Sequence, residues 1–169
     1  MITKRLTAVL LGLTLCLCPA CKPKPKEISP LQRKQAASLA SEAEFALTLK
    51  DFTRAEGLYQ QATGLCPDVP EYWESLGVTQ RRMNNLAGAR TAYRQALEAH
   101  ADRYKLQKNP GDLLQQAWIL ALLGRNDEAL TLMKKAAVAH PDDARIRVAT
   151  DPKWLERLHS DPAFREISL

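Results

Sequence analysis

The chain predicts an all-α fold, an α-solenoid of about three helix-turn-helix repeats closed by C-terminal capping helices. Three observations carry that prediction. The body is rich in Ala, Leu, Gln and Glu and poor in β-branched runs, a composition that favours helix. Asn-Pro and Asp-Pro pairs punctuate it at 109–110, 151–152 and 161–162. Above all, one pattern returns. Ala55, Tyr59 and Ala62 recur as Ala89, Tyr93 and Ala96 after 34 residues, and as Ala129, Met133 and Ala136 after a further 40. A small-x3-large-x2-small spacing puts all three residues on one helix face. The small residues let a neighbouring helix approach, and the large one fills the gap between them.

Residues 1–20 read as a secretory leader: Lys4 and Arg5, an apolar run from Leu6 to Leu17, then Ala20 before Cys21. Twelve helical residues span about 18 Å, short of the roughly 30 Å hydrocarbon core. Cys16, Cys18 and Cys21 are crowded together, but no His or further Cys lies nearby to complete a metal site. The stretch CPAC resembles a bacterial lipobox, usually Leu-Ala-Gly-Cys, with Cys18 and Pro19 as departures. That resemblance implies cleavage before Cys21 and lipid attachment there. Ordinary secretion by cleavage after Ala20, leaving a soluble chain, is the alternative.

Residues 21–35 then serve as attachment cysteine and tether. Pro23 and Pro25 favour extended polyproline II, and the alternating lysines keep it solvated. Lys22, Lys24 and Lys26 would lie within a Debye length of anionic headgroups. Lys22, in place of the aspartate that commonly signals inner-membrane retention in such lipoproteins, implies the periplasmic face of the outer membrane.

The array is expected over 36–143, in units 36–69, 70–103 and 110–143. In the second unit Trp73, Leu76 and Gly77 open the first helix as W-x2-L-G, and Ala89, Tyr93 and Ala96 lie on the second. The first unit carries Leu39, Ala43, Ala46, Ala55, Tyr59, Ala62 and Pro67; the third carries Leu113, Ala117, Leu120, Ala129, Met133, Ala136 and Pro141. These residues resemble the tetratricopeptide repeat, a 34-residue helix-turn-helix. Gln80 stands where that family usually has Tyr, Glu42 and Gln116 replace an apolar residue, and Ala101 replaces the closing proline. Without that proline the second helix of unit two is free to run on through HADRYKL, which accounts for about six inserted residues. Residues 144–169 supply the cap. Asp151-Pro152 and Asp161-Pro162 each open a short helix, and Trp154, Leu155, Leu158, Phe164 and Ile167 are the apolar residues available to cover the end of unit three.

Charge and chemistry narrow the function. The chain has 24 Lys+Arg and 19 Asp+Glu; setting aside two cations of the leader, and three lysines and Glu27 of the tether, leaves 19 against 18. A nearly neutral body argues against nucleic acid. With the leader removed and Cys21 lipidated, Cys66 is a lone thiol, so the fold must rest on its core. His100, His140 and His159 are scattered, each expected near a helix end in a surface role, and no Gly-rich phosphate loop or HExxH occurs. Glu42/Glu44 and Glu71/Glu74 read as solvated helix faces. No catalytic residue, metal or cofactor is assigned, and no small-molecule substrate.

What remains is binding of a protein or peptide partner. By the register of the resembled family, Glu44, Leu47, Glu74, Val78, Arg81, Leu114, Trp118 and Ala121 line a concave groove. That family's clamp for a C-terminal carboxylate uses Lys and Asn where this chain has Ala40, Glu44, Glu74 and Val78, so a chaperone-tail clamp is not implied. The sequence reading is therefore a non-catalytic, lipid-anchored, periplasm-facing adaptor or assembly factor. A permanently docked subunit of an envelope complex and a secreted accessory binding protein are its alternatives.

Overall fold

A computed structural model describes residues 27–169; the leader, Cys21 and the tether through residue 26 lie outside the described residues. Three helix pairs follow one another: α1 (Pro30–Thr48) with α2 (Phe52–Leu65), α3 (Pro70–Arg82) with α4 (Leu86–Gln107), and α5 (Pro110–Leu122) with α6 (Asn126–Ala139). Each packs on its neighbour in chain order, the one-dimensional stacking of a solenoid. Three short helices close the chain: α7 (Ala144–Ala149), α8 (Pro152–Ser160) and α9 (Pro162–Ile167).

Local chemistry sets the boundaries. Ser29 caps α1 in a full capping box with Gln32, and Pro30 takes the first helical position. Residues 30–35, expected in the tether, are therefore the first turns of α1. Asp51, Asn85 and Asn109 cap α2, α4 and α5 by accepting from the backbone N–H of Arg54, Gly88 and Gly111. Asp143, Asp151 and Asp161 do the same for α7, α8 and α9. The two Asp-Pro helices stand where the sequence puts them, while α7 was not expected, because no proline announces it.

The repeat is written into the backbone as well. Lys50, Asn84 and Gly124, related by the same spacings of 34 and 40, sit at φ of 59°, 61° and 72°. One residue on, Asp51, Asn85 and Arg125 donate their N–H to the carbonyls of Ala46, Gln80 and Leu120 at 2.8–2.9 Å. Each pair thus turns through a left-handed residue with the long-range bond of a Schellman motif. Unit two differs at its far end. Helices α2 and α6 stop at Cys66 and His140, just before Pro67 and Pro141, but α4, 22 residues long, continues past the equivalent His100 to Gln107. Ala101 lets it continue, and Lys108, at φ 55°, ends it.

The core follows the recurring pattern. Ala55, Tyr59, Ala62, Leu76, Gly77, Ala89, Tyr93, Ala96, Leu113, Ala117, Ala129, Met133 and Ala136 are all buried. Leu39 and Trp73 are half-buried and pack against the edges of the apolar clusters. Gly77 marks a close approach of α3 to the Tyr93 ring of α4: a Cβ there would stand 2.5 Å from that ring.

Candidate functional site

The eight positions expected to line a groove fall into three groups. Glu44 is exposed on α1, and Leu47, one turn on, is half-buried against Ala40, Ala43 and Tyr59. Leu114 is half-buried on the cluster built from Leu113, Ala117, Met133 and Ile146. The remaining five are not an open surface, for two separate reasons.

Val78, Arg81, Trp118 and Ala121 meet the chain's own residues 161–169. Phe164 is buried in the cluster that holds Ala121, Leu122 and Tyr93, with Val78 and Trp118 at its edge. Its ring stands edge-on to Trp118, centroids 6.2 Å apart at 71°, a geometry in which ring edge meets ring face. Three main-chain groups of this tail are engaged by the array. The Tyr93 hydroxyl donates to the Ile167 carbonyl at 2.9 Å, Arg81 Nε donates to the Ser168 carbonyl at 2.7 Å, and the Leu169 N–H donates to the Leu122 carbonyl at 2.8 Å. Arg82 pairs with Glu166 at 3.1 Å. The expectation that Trp154 and Phe164 are packing residues holds for both: Phe164 is buried and Trp154 half-buried.

Glu74 turns instead to His100. Both imidazole nitrogens face carboxylates: Nδ1 lies 2.9 Å from Asp112 Oδ1, and Nε2 is hydrogen-bonded to Glu74. Arg103 bridges Asp112 at 2.8 Å and Glu71 at 2.7 Å. His100 and Asp112 are each about as buried as the core alanines. Burial opposes the imidazolium, but the hydrogen bonds from Glu74 and Asp112 outweigh it, and the pKa of His100 is raised. The ring is clamped between two carboxylates, a setting that favours the imidazolium. The expectations of a surface histidine and of a solvated Glu71/Glu74 face are therefore both corrected. His100 stands at the register position of the buried Cys66, and the run-on of α4 brings Arg103 to the first turn of α5. No spacing rule in the sequence joins Glu74, His100 and Asp112; the signal available was the missing proline at Ala101.

The other titratable positions are quieter. The Tyr104 hydroxyl and His140 Nε2 are hydrogen-bonded at 2.8 Å, tying the extended end of α4 to the end of α6. Cys66 is a free, buried thiol whose pKa burial pushes up, away from the reactive thiolate. Gln80, at the position where a tyrosine was expected, donates to Glu56 at 2.9 Å and so links α3 to α2. What the arrangement offers chemically is recognition by packing, charge and main-chain bonding.

Comparison with known proteins bears on the repeats. No curated protein matches the chain. Among solved structures, the Arabidopsis OM64 TPR domain is similar at 18% identity, with a TM-score of 0.45, covering 75% of this chain and 98% of that one. The family profile of the tetratricopeptide repeat matches residues 41–104 and again 75–144. Those two overlapping matches run from within α1 to the start of α7 and take in the left-handed turns and the small-large-small faces described above, and the chain belongs to the tetratricopeptide repeat family.

Proposed function

We propose that the protein is a non-catalytic adaptor, lipid-anchored through Cys21 and facing the periplasm from the outer membrane. Repeats of this family in general mediate protein–protein interaction. The observation that supports an anchored adaptor is an order of parts: a leader ending in Ala20-Cys21, a Lys/Pro tether, then a repeat array filled at its far end by its own tail. This leaves the first pair, with Glu44 exposed and Leu47 half-buried, as the end available to a partner. Among the described residues the exposed large apolar side chains are Leu31, Phe45, Leu49, Met83, Leu86, Leu106, Val138 and Val148, spread along the chain from α1 to α7. That dispersal favours a transient partner over permanent docking, which needs one large apolar patch.

Cys21→Ala tests the anchor. The expected result is loss of metabolic palmitate labelling and release from the membrane fraction; a variant that matures and stays membrane-bound shows the assignment to be wrong. A photo-crosslinker at position 44 should capture a discrete partner, whereas one at Val138 on α6 should not. Equal capture at both positions would count against the first pair as the working surface.

A further inference from the structure

The surface that this sequence would offer to a partner over units two and three is filled by residues 161–169, and the manner of filling is specific. Only one side chain of the tail, Phe164, is deeply buried against the array. Three of the remaining contacts engage main-chain groups, at Ile167, Ser168 and Leu169, and one pairs Glu166 with Arg82. Main-chain bonds are available to any peptide that adopts the same path. We propose that residues 161–169 are a displaceable intramolecular ligand, and that the groove of units two and three takes an external segment of the same chemistry: an aromatic anchor, an acidic residue two positions on, and aliphatic residues after it.

Several observations carry release as well as docking. Helix α9 has six residues, well under the roughly 12–15 that an isolated helix needs, so its order is borrowed from the groove. It packs on α3, on α8 and, through Phe164, on α5, whereas α2, α3, α4 and α5 are each held between two long neighbours. Asp161 is at once the C-cap of α8 and the N-cap of α9, in extended backbone at φ −72° and ψ 120°, so a rotation at one residue lifts the tail away. Once it leaves, Arg81, the Tyr93 hydroxyl and the Leu122 carbonyl lose their tail partners together, and the face of Trp118 opens. The groove is then a site with an aromatic wall, two donors, an acceptor and the Arg82 cation. Being covalently attached, the tail competes at an effective concentration on the order of millimolar, so an external segment binds weakly while the tail is docked.

The test needs no knowledge of a natural partner. The probe is a fluorescent peptide of residues 161–169, DPAFREISL, titrated into the purified wild-type protein and into Phe164→Asp, whose own tail lacks its anchor. Because apparent affinity scales with the fraction of open groove, the peptide should bind Phe164→Asp at least about tenfold more tightly than wild type. The same peptide with its phenylalanine replaced by alanine should not bind. Hydrogen exchange on the unaltered protein gives a second readout, independent of any variant's folding. The Ser168 and Leu169 amides should exchange by local opening, about 100-fold faster than those of Leu120 and Leu122. Tail amides that exchange only with global unfolding, or no peptide binding to a folded Phe164→Asp chain, would overturn the proposal by making the tail a permanent part of the core. A concentration-dependent dimer held by exchanged tails would overturn it by making the ligand intermolecular. These readouts concern the purified chain alone, so they stand or fall separately from the membrane anchor and the partner at position 44.

Discussion

At the residue scale, the repeat positions share a geometry but not a residue type, and the differences have energetic consequences. The left-handed turn is filled by Gly124 in unit three, by Asn84 in unit two and by Lys50 in unit one. Glycine takes that conformation freely and asparagine is tolerant, but a lysine there costs about 1–2 kcal/mol. Part of that cost is returned by the lower entropy of an unfolded chain that lacks a glycine. We expect Lys50→Gly to stabilise the protein by up to about 1 kcal/mol. Thermal melting checks this, and an unchanged or lower Tm would mean that the lysine makes a compensating contact. Cys66 and His140 show the same principle in another form, since equivalent helix ends tolerate a buried thiol in one unit and a tyrosine-bound imidazole in another.

At the element scale, a tight constraint is the approach of α3 to α4 at Gly77. A methyl group there would stand 2.5 Å from the Tyr93 ring, so the ring must move. Alanine is the better helix former by roughly 0.5–1 kcal/mol, which opposes the loss. Overpacking at about 1–3 kcal/mol is the larger effect. The ring also carries the hydroxyl bound to the Ile167 carbonyl, so its displacement loosens α9 as well. Gly77→Ala should therefore lower Tm and speed exchange of the tail amides together. A lower Tm with unchanged tail exchange would show that Tyr93 yields without letting go of Ile167.

At the scale of the whole molecule, the buried charge cluster joins unit two to unit three and makes that junction sensitive to pH. The groups facing His100 are Glu74 on α3, Asp112 on α5, and Arg103 on its own helix, with Glu71 behind Arg103. The pKa of His100 is raised in the folded protein, above an unfolded value of about 6.5. Its contribution is thus fully present below about pH 6.5 and is lost as pH rises through the folded value. Tm should fall over that window in the wild type and lose this slope in His100→Gln. The variant leaves the buried Asp112 and the half-buried Glu74 short of a partner, a loss on the order of 3 kcal/mol. A wild-type Tm that holds or rises across the same range would show that the ring is neutral when folded.

Much of this architecture is legible in the sequence because it is local or periodic. The spacing of Ala55-Tyr59-Ala62 and its two recurrences places the core faces, since residues three and four apart share a helix face whatever surrounds them. Asn109-Pro110, Asp151-Pro152 and Asp161-Pro162 start helices because a cap and a proline act within one turn. The long α4 follows from a single absent proline at Ala101. Two features depended on the tertiary structure instead. Glu74, His100 and Asp112 come from three helices, and only the stacking of those helices buries between two carboxylates a histidine that reads as a surface residue. Likewise, Arg81 and Trp118 occupy groove positions by register, but the chain's own tail reaches them from up to 87 residues away. Periodicity says which way a residue faces on its own helix; what stands opposite is decided when distant segments compete for the same apolar surface.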